Sequence, residues 1–387
     1  MNAQFHKVCN PLLPEAAAIF EYLKTLNQAR WYTNRGTLQA SLEERLSMLF
    51  GADHNVVVAT ASGSAALEAS ILATAGTATP DKPYAFLPSY TFAATALAAE
   101  RCGYTPYFLD VDPETWSLDP DMIARHPKII NAGVIIVVAP YGRMPDMVAL
   151  ETLYKKTGVA VVVDAAAAFE QVVAAPGCIS ATIPVCLSFH ATKTFSTGEG
   201  GAVLWSDQIG RESIVQATNF GFLNSRECRS AGFNGKMSEY SAAVGLAMLD
   251  MLEERRQEYF EVSHTYRQAF ASSGANSSGQ FFASPEISSA YALILARDSI
   301  VAAELCVELQ VSQFGWRRWY ESGLHNMAHF LDCPRDAMAV TTDLGDRLIG
   351  LPMAHDLSED KIAQIVDVVA ATCETEVAFV AEQAGGR

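Results

Sequence analysis

Between about residues 50 and 210, short apolar runs rich in β-branched residues alternate with stretches whose apolar positions recur at intervals of three and four. The first pattern predicts strands and the second predicts amphipathic helices. Their alternation is that of crossover units building a mainly parallel sheet. Strands are expected at Ala85 to Leu87, Pro106 to Leu109, Val134 to Val138, Ala160 to Val163, Val185 to Phe189 and Ala202 to Trp205. Helices are expected between them, at Ser64 to Ala75, Thr91 to Arg101 and Met147 to Thr157. Several strands are apolar at every position, so both faces of the sheet must be covered by helices, as in a doubly wound α/β domain.

From Met237 the text changes. MSEYSAAVGLAMLDMLEERRQEYF reads as one long amphipathic helix, small residues first and charges after, linking two domains. The remainder, from about residue 262, mixes helices with short strands such as Ala290 to Ala296, and DLSEDKIAQIVDVVAATC opens with an acidic, capped first turn. The expected division is a large α/β domain with an N-terminal arm over residues 1–250 and a smaller α+β domain over 251–387. There is no internal repeat, and the final EQAGGR is expected to fray.

Composition narrows the classes of function. The chain has 387 residues, 50% hydrophobic and 18% charged, with a formal net charge of −16. That charge argues against non-specific binding to nucleic acid or anionic membranes, so any anionic substrate must meet a local positive site. The start has no basic segment followed by an apolar one, and no apolar run approaches the roughly 20 residues that span a bilayer. A cytoplasmic location is expected. The eight cysteines show no zinc spacing and read as reduced thiols. His325 and His329 form an HxxxH pair without a nearby acidic partner in the pattern, so no metal is expected.

Ligands of parallel α/β sheets bind beyond the carboxyl ends of strands, which makes polar residues directly after apolar runs the candidates for chemistry. Asp164 ends the run VVVD. A carboxylate buried there needs a cationic or hydrogen-bonding partner, and a protonated pyridine nitrogen would serve; capping the alanines that follow is the plainer alternative. Lys193 lies in the loop after a strand, followed by Gly198, Gly200 and Gly201. A desolvated lysine at such an edge can form an imine with an aldehyde cofactor, although most lysines are solvated surface charges. Ser62, Gly63 and Ser64 precede an alanine-rich helix whose N-terminus can hold a phosphate, or serve as a simple cap. Phe92, near Tyr90 after the strand ended by Pro88, could stack on a planar ring or merely pack.

Taken in order, the segments YTNRGTLQASLEERL, ATASGSAALEA, PSYTFAATALAAERCGYTPYFLDVDPETWSLDP, PYGRMPDMVALETL, DAAAAFE, SFHATKTFSTGEGG and FNGKMSEYSAAVGLAMLD resemble the DegT/DnrJ-type sugar aminotransferases. These are a branch of the fold type I pyridoxal-phosphate enzymes, and the resemblance runs from about Tyr32 to Pro352. It implies a large domain built on a mainly parallel, seven-stranded sheet. It also implies that Lys193 carries pyridoxal 5′-phosphate covalently and later shuttles a proton. Asp164 would pair with the pyridine nitrogen, Phe92 would cover one ring face, and Gly63, Ser64 and Ser188 would bind the phosphate. Asn234 would reach the phosphate from a neighbouring subunit, making a homodimer part of the active site.

Two positions depart from the family pattern. Ala167 stands where Gln or His is common beside the cofactor's ring hydroxyl, and Lys236 where Arg is usual. Relatives that dehydrate a sugar carry His in place of the lysine, so Lys193 favours transamination. The implied reaction converts a nucleotide-linked 4-keto-6-deoxyhexose to the 4-amino-4,6-dideoxy sugar, with L-glutamate as donor. Alternatives are a C3 keto-sugar or cyclitol aminotransferase and a non-catalytic cofactor-binding regulator. Trp316, Arg317, Arg318 and Trp319 offer a nucleotide contact or a plain small-domain surface.

Overall fold

The computed structural model describes residues 5–384, and the chain separates into two units. The larger comprises Leu12–Leu252 together with Gly323–Val340. It begins with two helices, α1 (Ala16–Ala29) and α2 (Thr37–Leu49). There follow β1 (Val57–Thr60), α3 (Gly63–Thr74), β2 (Tyr84–Pro88), α4 (Ala93–Arg101), β3 (Thr105–Leu109), α5 (Pro120–Ala124), β4 (Ala132–Val138) and α6 (Met147–Thr157). The series closes with β5 (Ala160–Asp164), α7 (Phe169–Ala174), β6 (Val185–Ser188), β7 (Gly201–Leu204), α8 (Gln208–Ala217) and α9 (Glu239–Asp250). All six expected strands form, and β1 is a seventh.

These strands make one sheet in the order β1-β7-β6-β5-β4-β2-β3. Strand β7 alone runs antiparallel to its neighbours, so the carboxyl ends of the other six share one edge with the amino end of β7. Continuous apolar runs are possible because both faces are covered: Val134, Ile136 and Val162 are fully buried against helix residues such as Ala66, Ile71 and Ala99. Local signals set the helix ends. Asp146 accepts from the N–H groups of Val148 and Ala149 at the start of α6, and Gly158 ends that helix with a left-handed φ of 65°.

Both outer strands have their free edges occupied. On β1, one polar stripe of α2 does this: Glu43 Oε1 accepts from Ala59 N–H at 2.9 Å and Ser47 Oγ accepts from Val56 N–H at 3.1 Å. On β3, Phe108 N–H donates to Pro334 O and its carbonyl accepts from Asp336 N–H, each at 3.0 Å. Unpaired strand edges are thereby avoided.

The smaller unit comprises the residues up to Pro11, Glu253–Ser322 and the chain from Thr341. Its elements are α10 (Leu252–Ser272), β8 (Gly279–Phe282), β9 (Ala292–Ala296), α11 (Ser299–Val311), α12 (Ala339–Arg347), β10 (Leu348–Leu351) and α13 (Glu359–Ala384). The three strands form an antiparallel sheet, β10-β9-β8, over a core that includes Ile294, Leu305, Leu309, Ile349 and Ile365. The division is discontinuous, whereas a single cut after residue 250 was expected. The segment up to Pro11 joins the smaller unit, and Gly323–Val340 returns to the larger.

The single helix expected from Met237 is two. Helix α9 stops at Asp250, Met251 leaves helical geometry at φ −111° and ψ 11°, and α10 starts at Leu252. Apolar periodicity runs through this break because Met251 and Leu252 are both apolar. The acidic pair Glu253 and Glu254 favours a new helix N-terminus there. Of the terminal residues expected to fray, 385–387 lie outside the described residues, and α13 extends to Ala384. Among the described residues, no helix is long and apolar enough to cross a membrane.

Candidate active site

The sheet's carboxyl edge collects the candidate residues. Asp164 is the last residue of β5, and Ser188 is the last of the adjoining β6. Lys193 lies in the turn that carries the chain from β6 back into β7. That turn is fixed by its own backbone: Phe189 N–H bonds Gly200 O, Ala191 N–H bonds Gly198 O, and Lys193 N–H bonds His190 O, each at 2.9 Å. Under it, the buried Phe195 ring stacks on Phe169 at 4.7 Å and meets Phe189 edge-on at 4.9 Å. A backbone held this firmly limits where the side chain of Lys193, a half-buried residue, can reach.

Asp164 is 6% exposed. Its Oδ2 accepts from Thr95 Oγ1 at 2.7 Å and its Oδ1 from Ala166 N–H at 3.2 Å. Burial pushes the carboxyl above its ordinary pKa, and the Thr95 hydroxyl, the Ala166 amide and the charge of Lys193 pull the other way. Asp164 and Lys193 are therefore electrostatic neighbours at one sheet edge. A second cation near Asp164 would complete the ionised state that burial opposes.

The turn after β1 presents backbone donors at the start of α3. Ser62 caps α3, its Oγ accepting from Ala65 N–H at 3.1 Å, and Ala66 N–H makes the first intrahelical bond, to Ser62 O. The N–H groups of Gly63 and Ser64 precede any intrahelical acceptor and carry the positive end of the helix dipole. Ser188 adjoins this turn closely: a Cβ at Gly63 would stand 2.8 Å from Ser188 Cβ. The glycine pattern after Lys193 has the same origin, since a Cβ at Gly201 would stand 2.6 Å from the Ser62 carbonyl. Gly63, Ser64 and Ser188 thus form one group.

Phe92 is the residue before α4 and is 67% exposed, an unusual state for an aromatic one turn from the buried Thr95 and its partner Asp164. Asn234 lies on the exposed segment beside the end of β1. Gly235 O accepts from Ala61 N–H at 2.8 Å, and Asn234 Oδ1 accepts from Lys236 Nζ at 2.9 Å. Lys236 also lies over the Phe220 ring at 4.7 Å, and partial burial lowers its pKa. Ala167 is half-buried and brings only a methyl group to its position.

The remaining sequence candidates go elsewhere. The HxxxH pair sits on two short 3-10 turns rather than one helix: His325 Nδ1 pairs with Ser89 Oγ at 2.7 Å, and His329 Nε2 with Glu100 at 2.9 Å. Trp316, Arg317, Arg318 and Trp319 belong to the smaller unit, where Arg317 lies over the Trp319 ring at 5.0 Å. The seven described cysteines are free thiols, and the Cys373 side chain lies outside the described residues.

Residues that the sequence did not single out also reach this edge. Thr95 holds Asp164, yet inside TFAATALA it looks like one more small helix residue. Tyr141, after β4, donates or accepts a 3.1 Å hydroxyl contact with Tyr90 and packs edge-on against Trp116. Arg143 follows, with its guanidinium 4.7 Å from the Trp116 ring centre. The one available signal was position: PYGR directly follows the apolar run VIIVVA.

A model of the DegT/DnrJ/EryC1/StrS aminotransferase family matches residues 14–370. Protein Rv3402c of Mycobacterium tuberculosis (strain H37Rv) is 32% identical over 379 residues, covering 95% of this chain and 89% of its own length. A dTDP-4-amino-4,6-dideoxy-D-glucose transaminase of Shigella dysenteriae is 31% identical over 67% of this chain and 69% of its own. Among solved structures, DesI in the presence of its TDP-sugar product superposes with a TM-score of 0.84 at 26% identity, covering 98% of this chain and 96% of that one.

Proposed function

The chain belongs to the DegT/DnrJ/EryC1/StrS aminotransferase family, and on that premise we propose that it aminates a nucleotide-linked 4-keto-6-deoxyhexose at C4, using L-glutamate as donor and pyridoxal 5′-phosphate as cofactor. The observation that carries this reading is the neighbouring of buried Asp164 and Lys193 at the carboxyl edge of the sheet. The nucleotide-sugar part is supported by relatives whose names specify a dTDP-linked or TDP-linked sugar. A cytoplasmic homodimer goes with the same reading.

The residues present fit the cofactor. A buried carboxylate suits a protonated pyridine nitrogen, an exposed Phe92 suits the face of a planar ring, and the Gly63, Ser64 and Ser188 group suits a phosphate. Bound pyridoxal phosphate supplies an aldehyde and a ring that accepts electrons from the amino-acid carbon. Lys193 Nζ would hold the cofactor at rest and, once released, would carry a proton between the amino-acid carbon and the cofactor carbon. Asp164 keeps the ring nitrogen protonated. Asn234 of a second copy contributes to phosphate binding, and Arg143, resting on Trp116, adds positive charge at the same edge to a chain that is otherwise strongly acidic.

The test is visible absorbance of the purified protein with pyridoxal phosphate, before and after glutamate, with Lys193→Ala as control. A yellow band that glutamate bleaches and that the variant lacks, followed by an aminated product from a dTDP-4-keto-6-deoxyhexose, is the expected result. Amination at C3, or of a carbocyclic ketone only, would move the substrate assignment. A yellow protein indifferent to every donor would make it a binding protein, and a protein that takes up no cofactor would end the proposal.

A further inference from the structure

Thr91, Thr95 and Asp164 form a short chain of side chains at the start of α4. Thr91 Oγ1 lies 2.8 Å from Thr95 Oγ1, which donates to Asp164 Oδ2 at 2.7 Å. Both threonines are at most 1% exposed, so water does not compete for their hydroxyls. Their spacing of four residues stacks them on one side of the helix start, aimed at β5. Each hydroxyl has one proton. If Thr95 gives its proton to the carboxylate, its oxygen is free to accept the proton of Thr91, and the relay acquires one direction that ends on a negative charge. A hydrogen bond to an ionised acceptor is stronger than one between neutral groups, and the upstream bond reinforces it.

We infer that Thr95, backed by Thr91, is a positioning residue that fixes the ionised Asp164 carboxylate for the cofactor's pyridine nitrogen. The inference rests on the proposed cofactor role of Asp164 and adds what keeps that role possible. The other hydrogen bond to this carboxylate is a longer one, from Ala166 N–H to Oδ1 at 3.2 Å. The relay occupies Oδ2, settles the rotation of the carboxyl group and leaves Oδ1 with lone-pair capacity for a ring N–H. Burial alone works against ionisation here, and the Thr95 bond opposes that effect. Because Ala167 brings no polar group, the anchoring of the ring in this chain depends the more on Asp164 being correctly placed.

The experiment uses the full chain loaded with pyridoxal phosphate labelled with nitrogen-15 in the ring, whose chemical shift reports whether the ring nitrogen carries a proton. Cofactor affinity is measured in parallel by absorbance titration. Thr95→Val, which keeps the shape and removes the hydroxyl, should move the nitrogen signal toward the unprotonated position and weaken cofactor binding about tenfold. Thr95→Ser should restore both, because it keeps the hydroxyl, and Thr91→Val should shift both in the same direction by less. Wild-type values for Thr95→Val in both measurements, or failure of Thr95→Ser to rescue, would overturn the inference. Should Thr95→Val not fold by circular dichroism, an unchanged nitrogen signal in Thr91→Val overturns it instead. A wild-type chain that binds no cofactor removes the proposed function and this inference together, whereas normal binding with unresponsive variants removes only the inference.

Discussion

Glu239 accepts a hydrogen bond from the backbone N–H of Gly36 at 2.9 Å, across 203 positions of chain. The same carboxylate takes the N–H groups of Leu38 and Gln39, so the first residue of α9 caps the N-terminus of α2. A Cβ at Gly36 would stand 2.7 Å from the Glu239 carboxyl carbon and would push that carboxylate off its donors. Helix α2 in turn covers the edge of β1, and Glu239 therefore supports the strand that leads into the Ser62–Ser64 turn.

Glu239→Ala should lower unfolding stability by about 1–3 kcal/mol, the range for losing a helix cap and stranding buried donors. Glu239→Gln should fall between the variant and the natural chain. Urea denaturation followed by circular dichroism measures both; equal midpoints for all three would mean that the cap does not stabilise α2.

Gly63→Ala should weaken pyridoxal-phosphate binding at least about tenfold, since the new Cβ forces apart the Ser62–Ser64 turn and Ser188 and overpacking of this kind costs roughly 1–3 kcal/mol. Gly274→Ala has open space around its Cβ and serves as the comparison. Cofactor titration of the two variants decides, and equal affinities would remove Gly63 and Ser188 from the phosphate site.

Asp164→Asn should act in opposite directions on stability and on function. Burial raises the carboxyl's pKa, so ionised Asp164 costs the cofactor-free protein stability at neutral pH, and the neutral amide should raise its melting temperature. Turnover should fall about 10²–10⁴-fold as the proton on the ring nitrogen loses its support. A variant less stable than the natural chain without cofactor would show that the buried charge is better compensated than the geometry indicates.

His325 sets a pH effect of defined sign. Burial, then Arg335, holds its pKa below the ordinary value, and Asp110 opposes them only in part. The unfolded chain therefore takes up this proton first as pH falls. The stability tied to a neutral His325 is complete above about pH 6.5 and is lost as pH drops toward the lower folded-state pKa. His325→Gln should flatten the fall in denaturation midpoint between about pH 7 and pH 5; an unchanged slope would place the proton uptake elsewhere.

Strands such as VIIVV were legible because a run buried on both faces is apolar throughout; Asp164 stood out as the polar end of one such run and Lys193 as a cation in the loop after another. Strand β1 was not among the expected strands, and its edge is satisfied by Glu43 and Ser47, whose polarity reads as an exposed helix face. Thr95 gave no signal because its partner is 69 residues away. The break at Met251 and the return of Gly323–Val340 to the larger unit were equally silent. An apolar residue continues the periodicity of the first, and the second pairs through backbone atoms that any residue would bring.

The closure of β3 by residues 334 to 336 sets a schedule for synthesis. Strand β7, the last of the sheet, leaves the ribosome about 130 residues before Pro334, which at about 5–20 residues per second is a wait on the order of 6–26 s. For that interval the nascent sheet is nearly finished and still open along one side. A truncated chain ending after α9 would stay in that condition permanently, a ready surface for chaperones or for another unfinished copy.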